Sequence, residues 1–208
     1  MGRKALFAAI AGAVVIVMSA CSKGPQTTAK VETEAKQEQP KAPEAVAART
    51  AFFQMYKPAR AWATDLLTLT LKSGEVPNVK NEEGRAGLWT AVFVSPSRHE
   101  ARTFSYAVAD SGADLRKGIN VSDKQTWNGA TPSSKAFVNA EFSVDSDAAY
   151  KAASQKAAGW LKTHPTAKVA FVLGSSSRFP GPVWYIMWGT SKNGYVAYVD
   201  ASTGAVVR

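Results

Sequence analysis

The run GYVAYVDASTGAVVR, Gly194–Arg208, reads as a strand, a five-residue turn and a short apolar tail. What precedes it supplies a partner for the strand. Asn193-Gly194 suits a two-residue hairpin turn, and VWYIMWGT, 183–190, is apolar on both faces, as a central strand is. The pattern predicts that Tyr195–Val199 returns antiparallel to 183–190, with Ala205–Val207 adding a short edge pairing. Upstream, KVAFVL at 168–173 is another β-rich run, separated from the central strand by a loop holding Pro180-Gly181-Pro182. Before it, Asp145-Ser146 form an N-cap signal. Ala149, Tyr150, Ala153, Ala157, Trp160 and Leu161 then fall on one helical face as far as the stop at His164-Pro165. The order is one helix followed by three or four strands.

The same order recurs earlier. A helical stretch from about Pro43 to Thr64 leads to LLTLTLK, 66–72, then LWTAVFVS, 88–95, then TFSYAV, 103–108, and then Asp110-Ser111-Gly112. Trp62 aligns with Trp160 at an offset of 98 and Trp89 with Trp184 at 95, while Tyr106 with Tyr198 and Gly112 with Gly204 both align at 92. Offsets that shrink steadily are what small loop-length differences between two copies produce, so the chain is read as an internal repeat. The expected fold is α+β, two helix-plus-antiparallel-sheet units forming one compact domain. The units run 46–112 and 145–208, with a connecting segment at 113–144. Trp184, Ile186 and Trp188 share one strand face and Val183, Tyr185 and Met187 the other. If the units form one continuous sheet, the first set belongs to the core.

With these residues in view, the second half resembles the PepSY family, small secreted modules of a helix packed on an antiparallel sheet. The carriers are the helix with KAAGWL, the strand VWYIMW and the run YVAYVDASTGAVV, in which Tyr198, Asp200 and Gly204 take the family's tyrosine, aspartate and glycine places. The first half carries the resemblance only through the repeat. Peptidase regulation and protein binding outside the cytoplasm are what the resemblance implies.

The connecting segment contains Leu115 and Ile119, expected to extend the sheet, and Phe137, Val138 and Phe142, expected to pin the segment onto the core. Trp127, beside Asn128-Gly129, is the one tryptophan outside the repeat pattern. It is a candidate partner contact, with a ring folded back on the core as the alternative. GSSSRFPG, 174–181, has the glycines and serines of a phosphate loop without its Lys-Ser/Thr ending, and reads as a polar loop displaying Arg178 and Phe179 as further partner-binding candidates.

Candidates for chemistry are few. His164 sits at a helix end, where an imidazolium favours the dipole, and His99 lies beside a predicted hairpin turn. There is no Cys/His cluster with zinc spacing and no G-x-S-x-G nucleophile turn. Asp145 and Asp147 read as capping residues, and Asp200 with Gly204 as turn chemistry. The expectation is a protein that is not an enzyme, with no catalytic residue, metal or cofactor; a hydrolase is the least favoured alternative.

The amino-terminal segment gives the setting. Arg3 and Lys4 precede an uncharged run from Ala5 to Val17, too short to span a bilayer, so 1–20 reads as a signal peptide. Met18-Ser19-Ala20-Cys21 resembles the lipobox of bacterial lipoproteins, with Met18 in place of the usual Leu. The resemblance implies lipid attachment at Cys21, the only cysteine, and Ser22 after it implies the outer membrane, facing the periplasm. More than one acyl chain, at about 0.8 kcal/mol per buried methylene, gives stable anchoring. An unlipidated secreted protein is the alternative. Residues 22–45 have no aromatic residue and four charges of each sign, and read with Cys21 as a lipidated, solvated tether reaching roughly 25–30 Å as a flexible coil.

The chain carries a net charge of +9. Setting aside two basic residues of the leader and the balanced tether leaves 19 basic and 12 acidic residues in 46–208, a net of +7. With no Lys/Arg run beyond the pairs Arg3-Lys4 and Arg116-Lys117, nucleic acid is not expected as a partner. That leaves two partner classes besides the membrane: a protein or peptide, or an anionic envelope polymer or lipid headgroup. Replacing Cys21 with Ser is expected to abolish incorporation of radiolabelled palmitate, and label retained by that variant rules out the lipobox reading.

Overall fold

The computed structural model describes residues 42–207; the leader, Cys21 and the tether as far as residue 41 lie outside them. In chain order the elements are β1 (Val46–Ala47), α1 (Ala48–Trp62), β2 (Leu67–Gly74), β3 (Arg85–Ala86), β4 (Leu88–Ser95), β5 (Glu100–Ala107) and β6 (Gly118–Thr126). A 3-10 turn (Asn139–Glu141) precedes α2 (Ser146–Lys156), α3 (Ala158–Thr163), β7 (Val169–Gly174), β8 (Val183–Trp188), β9 (Tyr195–Asp200) and β10 (Val206–Val207). Eight strands pair antiparallel in the order β10-β9-β8-β7-β2-β4-β5-β6, and β1 pairs with β3 separately. The expected α+β class is what forms, as three helices and one large antiparallel sheet.

Hydrophobic period explains which face each element buries. On α1 the buried residues are Ala48, Ala51, Phe52, Met55 and Ala59, a stripe at helical spacing. On α2 they are Ser146, Ala149 and Ala153, small enough to bring the helix close to β8 and β9. Beneath the helices lie Leu71, Trp89, Phe104, Phe171, Trp184 and Ile186, each at most 1% exposed. Trp188 is buried beside them, so the alternation read along 183–188 puts the expected set in the core. Phe137 and Phe142 also enter the core, whereas Val138 is exposed.

Several boundaries differ from the pattern-based expectation. Asn193-Gly194 is not a two-residue turn: Trp188 pairs with Tyr195, which leaves residues 189–194 in the loop. Gly189 opens it at φ +77°, and a Cβ on Gly194 would lie 2.3 Å from the Thr190 carbonyl oxygen, so close approach demands the second glycine. The single helix expected over 146–163 breaks at Ala157, whose ψ of 1° leaves the helical range. Ile119 joins the sheet in β6, inside the stretch read as connecting, while Leu115 instead bridges Ser111.

Tyr106 and Tyr198, aligned in the sequence reading, occupy opposite faces. Tyr106 pairs with Trp89 and packs on the core, whereas Trp184 pairs with Val199 and leaves Tyr198 opposite Tyr185 on the other face. A one-residue offset in register is enough to reverse the face.

The two halves meet at the helix starts. Ala47, at the N-cap of α1, has no side-chain acceptor, and the acceptors come from the start of α2. Ser146 Oγ accepts the Ala48 N–H at 2.8 Å and donates to the Gly84 carbonyl, and Asp145 Oδ1 accepts the Arg49 N–H at 3.0 Å and the Ser146 N–H at 2.7 Å. Gly84, at φ +80°, admits this approach, because a Cβ there would lie 2.3 Å from Asp147 Cα. Below, the Trp89 and Trp184 rings meet edge to face at 6.3 Å, and their indole N–H groups donate at 2.9 Å to the carbonyls of Val46 and Val144. Ser146→Ala strands a buried N–H and a buried carbonyl at once. It is expected to cost about 1–3 kcal/mol, read as a lower urea midpoint at unchanged m.

At the other end of α1, Asp65 holds the turn between β4 and β5. Its carboxylate accepts the Ser95 hydroxyl at 2.6 Å and the Ser97 N–H at 2.8 Å. These bonds, the Ser95 hydroxyl first, lower its pKa from 3.8 to about 2. A carboxylate acidified by folding stabilises the fold fully above its unfolded pKa, and that contribution is lost as pH falls through the folded value. Asp65→Asn is therefore expected to flatten the acid limb of stability between about pH 4 and pH 2, measured by urea midpoints across that range.

Candidate functional site on the helix-free sheet face

Among the described residues all three helices lie on one side of the sheet, so the strands' other residues form a face that none of these helices covers. The chain enters it through the loop between β7 and β8. Ser177 N–H donates to the Pro132 carbonyl at 2.8 Å, and Lys135 N–H to the Ser175 carbonyl at 2.9 Å, tying this loop to the connecting segment. Ser176 is buried and its Oγ accepts the Arg178 N–H at 3.4 Å. The tied loop lays Arg178 and Phe179 over β8 and β9.

There they join Tyr185 and Tyr198, which face each other across the β8–β9 ladder with ring centroids 5.1 Å apart. Phe179 packs on Tyr198 at 5.4 Å and on Tyr185 at 6.4 Å. The Arg178 guanidinium carbon lies 4.7 Å from the Tyr198 ring centre and 5.1 Å from that of Phe179, and Nη1 donates to the Tyr198 hydroxyl at 3.4 Å. These contacts restrain the guanidinium while the residue stays exposed, which leaves it N–H donors for a ligand. Beside Tyr185 opens a cleft of about 380 Å³ lined among others by Thr70, Lys72, Ser134, Val172 and Met187, with no carboxylate in its lining. The set combines apolar surface, hydroxyls and two cations, which suits an extended chain with a carboxylate better than a cation. Asp200, at the end of β9, keeps its charge at the margin. Partial burial raises its pKa, but the Thr203 and Ser202 N–H groups outweigh this and lower it.

Of the three residues singled out from sequence, the structure brings two together. Trp127 follows β6, the edge strand four places across the sheet from β7, and its N–H donates to the His99 carbonyl at 2.9 Å. It is half-buried and apart from the Arg178–Phe179 cluster. Tyr185, Tyr198 and Lys72 were not named as site residues. The signal for the tyrosines was the alternation from Trp184 to Trp188, which already set Tyr185 on the face away from the core; Lys72 had no such signal.

A larger cleft of about 790 Å³ lies on the helix side, between Glu83 and Arg85 on one wall and Asp147, Tyr150 and Lys151 on the other. Its charges are mixed, and none of the singled-out residues reaches it. His164 stacks on Trp160 at 4.0 Å, with Nδ1 3.0 Å from the Trp160 carbonyl and 2.8 Å from Thr163 Oγ1, and His99 lies in the β4–β5 turn at φ +53°. Among the described residues there is no group of three or more His, Cys, Asp or Glu placed to hold a metal ion. None of the described helices is long and apolar enough to cross a membrane.

No family model matches the chain, and no curated protein matches it. Among solved structures the chain is similar to a candidate lipoprotein from Clostridium difficile 630, at a TM-score of 0.46 and 12% identity, covering 76% of this chain and 90% of that one.

Proposed function

We propose that this is a lipid-anchored, non-catalytic protein of the bacterial envelope, held through Cys21 and binding a protein or peptide partner on the helix-free face. The observation that carries the reading is the Arg178–Phe179 loop stacked on Tyr185 and Tyr198. An exposed guanidinium held against half-buried rings beside an acid-free cleft offers oriented donors and apolar surface together, a combination suited to a chain that carries a carboxylate. The lipobox-like run Met18–Cys21 and the aromatic-free composition of 22–45 support the setting.

The reading includes two PepSY-like units within the sheet. In its support, the strand order outward from the central β2–β7 pair is β4-β5-β6 on one side and β8-β9-β10 on the other. Val46 and Val144, the acceptors of the two tryptophan N–H groups, each stand two residues before a helix and differ by 98 positions, the offset of Trp62 and Trp160. On this reading the first unit extends through β6 to Thr126, because β6 takes the place that β10 takes in the second.

The test is partner capture from envelope membranes by the full-length chain. An Arg178→Ala/Phe179→Ala variant is expected to lose at least tenfold in recovery of a cross-linked partner, with unchanged thermal stability, and Trp127→Ala to behave as the parent. Equal recovery by the double variant refutes the site, and loss confined to Trp127→Ala moves it to the β6 edge.

A further inference from the structure

The sheet has two outer edges, and they differ. β10 has two residues and β6 has nine, none of them buried. α1 packs on β5, β4 and β2, so the helix layer stops one strand short of β6. Ile119 and Val121, which pair with Tyr106 and Phe104 and so lie on the helix side, are left 38% and 44% exposed. Trp62, half-exposed at the end of α1, rests on the same Phe104 at 6.4 Å, and with Lys124, the larger cause, its indole N–H helps to hold the Glu100 carboxylate in its charged form.

The second half of β6 is closed to further pairing. The ladder shifts between Arg102 and Phe104, Arg102 Nε donates to the Ser122 carbonyl at 2.8 Å, Ser122 Oγ accepts the Thr103 N–H at 3.1 Å, and Lys124 pairs with Glu100 at 3.1 Å. A bulge and inturned charges are the devices that blunt an edge. The first half, Gly118–Val121, pairs in regular register with Ala107–Phe104 and has neither a bulge nor a charged residue; within it the Asn120 amide donates to the Gly118 carbonyl at 3.4 Å. Just before it, Arg116 and Lys117 are exposed while their backbone is held, by the Asn120 side chain on the Arg116 N–H and carbonyl and by Asp110 on the Lys117 N–H. Asp110 is occupied in that bond, and Asp114 is exposed in the preceding turn.

We propose that Gly118–Val121 is a docking edge for an extended peptide. The peptide strand runs antiparallel to β6, has aliphatic residues at alternate positions to cover Ile119 and Val121, and ends on acidic residues that meet Arg116 and Lys117. Antiparallel pairing continues the rest of the sheet and sets the peptide's carboxyl end beside the basic pair. A second copy is a poorer occupant: pairing the regular halves symmetrically about Ile119 sets Lys117 and Arg116 of each copy opposite Val121 and Ser122 of the other, which offer no carboxylate to the cations. This surface lies at the opposite end of the sheet from the Arg178 cluster, so it stands or falls separately from the proposed function.

The test uses the full-length chain in detergent and a fluorescein-labelled nonapeptide of alternating threonine and valine ending in Glu-Asp with a free carboxylate. Anisotropy is expected to report binding, and hydrogen exchange to slow at the amides of residues 118–121. Arg116→Glu/Lys117→Glu is expected to weaken binding at least tenfold and to restore it for a peptide ending in Lys-Lys, an exchange that loss of folding cannot mimic. No binding of the acidic peptide, equal affinity in the charge-reversed variant, or slowing of exchange elsewhere than β6 each overturns the proposal. So does a peptide-free dimer that Val121→Asp dissociates, since it assigns the edge to a second copy.

Discussion

The start of α1 has no acceptor of its own, and the fold supplies one from 98 residues away. Ala47-Ala48 cannot accept a hydrogen bond through their side chains, so the first free N–H groups of α1 depend on Ser146 and Asp145. The same two residues begin α2, and Asp145 Oδ1 serves the first turn of both helices. The two helices therefore cannot both be satisfied until the halves of the chain have met. Packing under the contact follows the same logic, since Trp89 and Trp184 touch and each hydrogen bonds to the strand or coil just before a helix. With a glycine at 84, where a Cβ would strike the Asp147 backbone, hydrogen bonding, ring packing and backbone conformation converge on one point. A single sheet running through both halves, joined by β2 against β7, is the architecture consistent with that point.

How far sequence could carry this follows from the range of each signal. Strands β4 and β8 were legible because they are long apolar runs, and the helix faces because their spacing is local. Asp145-Ser146 was legible as a cap, but only for its own helix; that it also caps α1 is a contact between positions 98 apart, invisible to any local pattern. The hairpin failed for a related reason. Asn193-Gly194 is a turn dipeptide wherever it stands, yet Trp188 pairs with Tyr195, their rings tilted at 55° and 6.2 Å apart on the helix side, and that register leaves residues 189–194 in the loop. The alignment of Tyr106 with Tyr198 matched residue type and missed face, because face depends on register and register on pairings that composition does not encode. Of the site, the loop residues Arg178 and Phe179 were legible as displayed groups, while the tyrosine platform under them needed the β8–β9 ladder.

The helix-free face is not uniform, and its division bears on what it can bind. Over β4 and β5 its hydroxyls satisfy one another, as Thr90 and Ser105 do at 3.0 Å. Those groups present a low-affinity, water-compatible surface. Over β8 and β9 the surface is rings, a thioether and one stacked guanidinium. Half-buried aromatic residues with an oriented donor are the type of surface that concentrates binding energy, and self-satisfied hydroxyls around them exclude alternatives without adding much.

An exposed strand edge is a hazard as well as a handle, and β6 shows how the two are balanced. A steric zipper needs six or seven residues of unbroken edge, and the bulge after Val121 with Lys124 beyond it limits the regular stretch to four. Four residues are too few to template a fibril, yet enough for a partner strand that also buries two aliphatic side chains and meets two cations. The bulge therefore does more than blunt the edge. By ending regular pairing at one place, it sets the register of anything that pairs there, and with the basic pair at the other end it leaves a partner strand one direction in which to lie.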